Sequence, residues 1–273
     1  MRLEYYIKIN IEKSERIMKI AVFGAAGWLG RAILSNLTGL HEVRALDLSP
    51  EVWEHGNNLD GEWDGGEKVY GNIADFRFVD QAIKGMDAVI HAAVYASHAL
   101  GAYGVDDDLP YLVNLKGLRN VLESSRQRNL RRIVHIGSCQ VVHPDGVFFD
   151  AEIRRPDGSL YAITKRLQEE MCRQYHDAFE LPIIVLRPCS IVDSRLGIGK
   201  SRNTLGKGGT QWDVSWVCRH DLAEACRLSA ENQDIGFEIL HTVGTLEAEA
   251  TCNVRKSREL LGLEYRGNLA QYG

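Results

Sequence analysis

Lys19–Phe23, KIAVF, runs directly into Gly24-Ala25-Ala26-Gly27-Trp28-Leu29-Gly30, and the fold is decided at this junction. Ile20, Ala21, Val22 and Phe23 form a short apolar run, and three glycines at a spacing of three follow at once. That pattern predicts a buried strand turning sharply into a helix that starts at Trp28. Chemistry gives each glycine a reason: a pyrophosphate must approach backbone N–H groups at a helix N-terminus, where the dipole favours anions, and a Cβ would hold it off. Gly30 also lets the helix pack closely on the sheet. The order is G-x-x-G-x-x-G rather than G-x-G-x-x-G, and a glycine trio taken alone also suits a tight turn with close packing.

Working outward, short apolar runs alternate with helical stretches. EVRALD (42–47), KVY (68–70), a helix around 76–84 and AVIH (88–91) are followed by an amphipathic helix over roughly 110–128. RIVHIG (132–137), a helix from Tyr161 to about Tyr175 and PIIVLR (182–187) complete the series. Strand, helix, strand at this spacing means right-handed crossovers and a parallel sheet covered on both faces, a Rossmann-type doubly wound α/β fold. Beyond Arg187 the pattern loosens into LGIGKSRNTLGKGG (196–209), then a helix near 220–230, a strand FEILHT and a closing helix near 254–261. The 86 residues after Arg187 are too few for a large independent domain and predict a small substrate-binding cap. The expected division is an N-terminal extension of no assigned role at 1–17, a dinucleotide-binding domain at 18–190, and a cap at 191–273 interleaved with it. In the extension, Ile7, Ile9 and Ile11 alternate and could add a strand.

Asp47 ends the second predicted strand 20 residues after Gly27. A carboxylate there can accept hydrogen bonds from the adenosine ribose hydroxyls and would repel a 2′-phosphate. NAD is therefore favoured over NADP, with Arg31 and Arg44 the two cations near enough in sequence to argue otherwise.

Composition narrows the partners. The chain has 273 residues, 45% hydrophobic, enough for a sizeable core, and its formal charge of -5 provides no basic field for nucleic acid or anionic membranes. No apolar run reaches the length of a membrane span, and residues 1–17 lack the apolar core of a signal peptide, so a cytoplasmic protein is expected. Six scattered cysteines, 139, 172, 189, 218, 226 and 252, make no CxxC pair and no Cys/His spacing for a metal, and are read as reduced core thiols.

In YAITK, Tyr161 and Lys165 stand four residues apart at the start of a predicted helix, so both side chains reach one point. A phenol is a poor base at neutral pH, and a neighbouring ammonium lowers its pKa by stabilising the phenolate. The pair then suits proton transfer at a sugar or alcohol hydroxyl. A surface Tyr and Lys one turn apart is the competing reading of these two residues by themselves.

The order of motifs along the chain separates the two readings. GAAGWLG, Asp47, DAVIHAA with His91, Ala92 and Ala93, VNLKGLRN with Asn114 and Gly117, HIGSCQVV with Ser138, YAITK and LRP with Pro188 resemble the extended short-chain dehydrogenase/reductases, the NAD-dependent epimerase/dehydratase family. The resemblance spans about residues 18–244 and takes in WVCRHDLAEA near Asp221. It implies that Ser138 hydrogen-bonds the substrate oxygen, Tyr161 moves the proton, and Lys165 holds the nicotinamide ribose and depresses the tyrosine pKa. It further implies cofactor contacts from Gly24, Gly27, Trp28, Leu29, Gly30, Asp47, Asn72, Ile73, His91, Ala92, Ala93, Asn114 and Pro188. Two departures stand out. Asn72 in GNIAD replaces the family's usual acid near adenine, though its amide oxygen could still accept from the adenine amino group, and VVH (141–143) stands where many sugar-nucleotide members read V-Y-G.

The short cap argues for a substrate smaller than a sugar nucleotide and looks like that of the uronate dehydrogenases. Between Asp193 and Asp213 lie Arg195, Lys200, Arg202 and Lys207 with no acid, either a loop closing over an anionic substrate or a solvated connection, while Arg187 is read as structural. The resulting expectation is an NAD-dependent oxidoreductase acting on a hydroxyl of a small sugar or sugar acid. An epimerase or dehydratase with tightly bound NAD and a catalytically silent dinucleotide-sensing regulator are the alternatives. By resemblance a homodimer is expected, paired through the Tyr161 helix and the long helix before Ser138.

Overall fold

The computed structural model describes residues 17–95, 108–141, 158–250 and 252–273. Residues 1–16 of the extension, with Ile7, Ile9 and Ile11, and the VH of VVH lie outside them. Strand β1 (Lys19–Phe23) buries every residue after Lys19 and turns through the glycine trio into helix α1 (Trp28–Leu37). The chain returns as β2 (Glu42–Asp47), crosses through α2 (Glu51–Asp60) to β3 (Gly66–Tyr70), then through α3 (Phe76–Ala82) to β4 (Ala88–His91). A π-helical turn (Tyr111–Lys116) leads without a break into α4 (Gly117–Gln127), followed by β5 (Arg132–Ile136), α5 (Leu160–Phe179) and β6 (Ile183–Arg187). Then come β7 (Ser190–Asp193), β8 (Ile198–Gly199), β9 (Trp216–Cys218), α6 (Arg219–Glu231), β10 (Phe237–His241) and α7 (Val254–Leu261).

Seven strands form one parallel sheet in the order β10-β6-β5-β4-β1-β2-β3 among the described residues. Phe23 is in register with Leu46 on one side and His91 on the other. The chain thus winds outward in both directions from β1 and β4, opening a crevice between them at the carboxyl ends of the strands, where α/β sheets bind their ligands. Alternation along each strand supplies both faces: Ile20, Val22, Ile90, Val134 and Ile184 pack on the side of α1 and α6, while Ala21, Phe23 and Val89 face α3 and α4, and Ile133 and Val185 face α4 and α5. No described helix is long and apolar enough to cross a membrane.

Two helices differ from the sequence expectation, and strands β7, β8 and β9 lie where the sequence pattern only loosened. Helix α2 was not anticipated between EVRALD and KVY. Its Pro50 start and early acids, Glu51 and Glu54, are ordinary helix-opening signals, but its apolar content is too low for a clear 3.6-residue period. Its apolar anchor is Trp53, which is buried, stacks on Trp63 with ring centroids 6.1 Å apart and carries the Arg31 guanidinium 4.8 Å from its centroid. The helix expected over 110–128 opens with a π turn instead of a regular one. Within that turn the carbonyl of Asn114 accepts from Gln168 Nε2 at 2.7 Å, which ties the turn to α5.

Beyond residue 190 the chain divides its work. β7, β8 and β9 form a small three-stranded sheet bordering the crevice, whereas α6 packs along α1 and β10 extends the main sheet beside β6.

Candidate active site

Gly24 has a positive φ of 80°, and a Cβ there would lie 2.6 Å from the Ala93 nitrogen. At Gly30 a Cβ would stand 2.1 Å from the Gly24 carbonyl oxygen. The turn is therefore possible only with these glycines, and it delivers α1 with no side-chain cap at its N-terminus. Asp47 braces the turn: Oδ2 accepts from Ala26 N at 2.9 Å and Oδ1 from Leu48 N at 2.8 Å. Trp28 is fixed as a wall by its indole N–H to the Ile191 carbonyl at 3.3 Å and by the Arg219 guanidinium 4.1 Å from its ring centroid. Arg219 is held in turn by Asp60 and by the fully buried Asp193, each at 2.6 Å.

At the other end of the crevice, Ser159 caps α5 by accepting from Ala162 N at 3.2 Å. Lys165 follows one turn after Tyr161, and only 2% of it is exposed. Its Nζ donates to the Ile136 carbonyl at 2.7 Å and stands 5.8 Å from the Tyr161 ring centroid. Burial lowers the ammonium pKa to about 8, against the opposing pull of Glu169 on the next turn. Glu169 is itself engaged by a bidentate Arg187 at 2.9 and 2.7 Å, which makes Arg187 a brace between α5 and β6.

Both ends open into one cavity of about 700 Å3. Of the residues expected to contact a cofactor, Gly24, Gly27, Trp28, Leu29, Gly30, Asp47, Asn72, Ile73, Ala92, Ala93, Tyr161, Lys165 and Pro188 line it. His91 and Asn114 do not, and neither does Ser138, expected to bind the substrate oxygen. His91 is fully buried behind the wall with Nδ1 3.0 Å from His135 Nδ1, and burial, then Lys165, pushes its pKa down to about 3. Asn114 ties Tyr95 by its backbone N and O, at 2.8 and 3.1 Å, and reaches Thr164 Oγ1 at 3.2 Å. Ser138 is buried at the end of its strand and its Oγ accepts from Gln140 N at 3.2 Å.

Other lining residues were not singled out from sequence as contacts: Asp60, Tyr95 and Cys189. Of the loop cations, Lys200 and Arg202 line this cavity, and Arg195 faces a different one with His220, Asp221 and Arg266. Only tertiary structure brings Asp60, Lys200 and Arg202 to the crevice, since α2 and the small sheet lie well away from the glycine turn in sequence. Arg31 is occupied by the carbonyls of Gly61 and Trp53 and by Asn57, and Arg44 by Glu67 at 2.6 Å and the Ala82 carbonyl at 2.7 Å. Asn72 Oδ1 accepts from Ala74 N at 2.9 Å and closes a local turn.

A glycine cradle, an uncapped helix start, a carboxylate at the second strand and a Tyr-Lys pair in one extended cavity fit a dinucleotide with a second reactant beside it. Comparisons with known proteins agree. The chain is 30% identical over 184 residues to a 2-alkyl-3-oxoalkanoate reductase of Stenotrophomonas maltophilia, covering 63% of this chain and 50% of the relative. It is 21% identical over 234 residues to a uronate dehydrogenase of Pseudomonas syringae pv. tomato, covering 82% and 74%. The chain thus spans about half the length of the first relative and three quarters of the second. The solved structure of a UDP-glucuronic acid 4-epimerase from Bacillus cereus, in complex with UDP-glucuronic acid and NAD, superposes with a TM-score of 0.73 at 18% identity, covering 93% of this chain and 96% of that one. The model of the NAD dependent epimerase/dehydratase family matches residues 20–236, and the chain belongs to that family.

Proposed function

We propose that this chain is an NAD-dependent oxidoreductase that removes or returns hydride at a hydroxyl-bearing carbon of a small sugar or sugar acid. The observation that carries this reading is the meeting of Tyr161 and Lys165 with the glycine turn and Asp47 in one cavity. NAD, when bound, supplies the hydride acceptor. Gly24, Gly27 and the start of α1 would hold its pyrophosphate, Asp47 its adenosine ribose, and Lys165 its nicotinamide ribose. NAD is preferred over NADP because Asp47 is a fixed carboxylate while Arg31 and Arg44 are both committed elsewhere.

Tyr161 takes the hydroxyl proton as general base, with the Lys165 ammonium nearby to favour the phenolate. Ser138, buried at the end of its strand beside the lining residue Gly137, would orient the substrate oxygen if its side chain swings into the cavity. Lys200 and Arg202 bring two cations to the cavity and suit an anionic substrate group such as a carboxylate. Ala92, Ala93 and Pro188 supply an apolar floor that keeps water from the reacting carbon. The exposed apolar residues Tyr111, Leu112, Ile163 and Leu167, on the π turn and α5, fit a homodimer paired through these helices.

The test is absorbance at 340 nm with NAD or NADP and a panel of sugars, aldonates and uronates, run on the wild type and on Tyr161→Phe. A rise with NAD and a uronate or simple sugar is expected, lost by at least about 100-fold in Tyr161→Phe while NAD affinity stays within a few fold. Near-normal turnover in the variant contradicts the assignment. A flat trace from protein already carrying NAD points to an epimerase instead.

A further inference from the structure

Two cysteines stand at the catalytic end of the cavity with no part in the chemistry above. Cys139 follows Ser138 past the end of β5, and Cys189 follows Pro188 past the end of β6. These strands pair in parallel with Ile136 opposite Leu186. The register continues beyond both strands, through Gly137 N to the Leu186 carbonyl at 2.7 Å and Cys139 N to the Pro188 carbonyl at 2.9 Å. Cys139 and Cys189 are thereby matched neighbours on adjacent chains, about the separation of paired strands, which lies within the range a disulfide spans. Their thiols are close enough for each to shift the other's pKa.

The two sites differ in the way a reactive pair requires. Cys139 is fully buried, whereas Cys189 is half-buried and lines the cavity beside Tyr161 and Lys165. Hydrogen bonding from Cys139, and then from Ser215 and Ser190, lowers the Cys189 thiol pKa, and burial raises that of Cys139. Cys189 is the accessible nucleophile and Cys139 the partner behind it. Cys252 is near enough to interact electrostatically with Cys189, but it is buried and does not share its register.

We propose that Cys189 and Cys139 form an oxidation site in the wall of the active cavity, at which a hydroperoxide converts the pair to a disulfide. The Cys189 thiolate attacks the terminal oxygen of the hydroperoxide, the O–O bond breaks, and an alcohol (water, for hydrogen peroxide) leaves with the proton. The Cys139 sulfur then attacks the Cys189 sulfenic acid, the S–O bond breaks, and the hydroxyl departs as water with the Cys139 proton. Two thiols lose two electrons and the hydroperoxide gains them. The bridge locks together the residues directly after Ser138 and Pro188, so it blocks turnover. That consequence rests on the proposed function, but formation of the bond does not.

The experiment treats the full chain with a few equivalents of hydrogen peroxide, with and without saturating NAD, then alkylates and maps peptides by mass. The expected product is a Cys139–Cys189 cross-linked peptide that dithiothreitol reverses. NAD should slow its formation several-fold by covering Cys189. Cys139→Ser should leave Cys189 trapped as a sulfenic acid that dimedone labels, and Cys189→Ser should give no cross-link while its circular dichroism confirms folding. Wild-type mapping decides the matter even if a variant fails to fold. A Cys189 no more reactive than buried Cys226, or one cross-linked to Cys252 instead, overturns the proposal. If the bond forms but 340 nm turnover is unchanged, the blocking of turnover is overturned; if the bond forms in protein that shows no turnover even when reduced, the oxidation site stands and the proposed function fails.

Discussion

Lys165 donates from Nζ to the carbonyl oxygen of Ile136 at 2.7 Å, from a position only 2% exposed. An ammonium so deeply placed is costly to fold, and Arg187 already claims the nearby Glu169 carboxylate. Lys165→Met, of similar length and apolar, should therefore hold or raise thermal stability while reducing turnover by at least about 100-fold. A melting temperature several degrees below wild type would show that Lys165 serves stability more than chemistry.

Burial also makes stability depend on pH, with a definite sign. His91 in the folded state titrates at about 3 rather than 6.5, chiefly through burial, and His135 is shifted the same way. Between these values the unfolded chain binds protons that the folded one does not, so stability is present above about pH 6.5 and is lost as pH falls below it. Lys165, at about 8 rather than 10.5, makes stability rise between those two values by the same rule. Melting temperatures should drop from pH 6.5 to pH 5 and drop less in His91→Asn; parallel curves for the two proteins would contradict this.

Much of this was legible from residues alone where chemistry forces local geometry. The glycines at 24 and 30 were readable because no other residue fits their contacts, and Asp47, Tyr161 and Lys165 because strand ends and helix turns fix where they reach. The parallel, doubly wound character of the sheet followed from alternation, whereas its strand order came only with the structure. What stayed hidden depends on distant pairing. Helix α2 is held by Trp53 against Arg31 and Trp63, an arrangement with no periodic signature. His91 and Asn114 read as cofactor contacts, yet they turn into a buried network reaching His135, Thr164 and Gln168, which only register across β4, β5 and α5 reveals.

Gly30→Ala tests the turn itself. A Cβ there would stand 2.1 Å from the Gly24 oxygen and 2.6 Å from that of Ala25, both backbone atoms that cannot rotate away. The strand-to-helix junction must shift, at about 1–3 kcal/mol or more. The expected result is a melting temperature lower by roughly 2–4 °C for each kcal/mol, together with weakened NAD binding. Wild-type values for both would mean that the junction is looser than its contacts imply.

Asp47 separates cofactor selectivity from support of the turn. Its carboxylate accepts from both Ala26 N and Leu48 N, so removing it to Ala would disturb the glycine turn as well as the ribose contact. Asp47→Asn keeps one oxygen acceptor and removes the charge. A hydrogen bond to a charged group contributes about 1.5–3 kcal/mol, so NAD should bind roughly 10- to 100-fold more weakly in the variant. Relief of repulsion alone would improve NADP only modestly. Arg31 is engaged by Gly61, Trp53 and Asn57 and Arg44 by Glu67, leaving neither to clasp a 2′-phosphate. The NAD-to-NADP ratio of kcat/KM should therefore shrink because NAD loses, with NADP changed by only a few fold. A variant in which NADP gains 10-fold or more would show that Arg31 leaves α2 for the phosphate, and would shift selectivity from the carboxylate to that guanidinium.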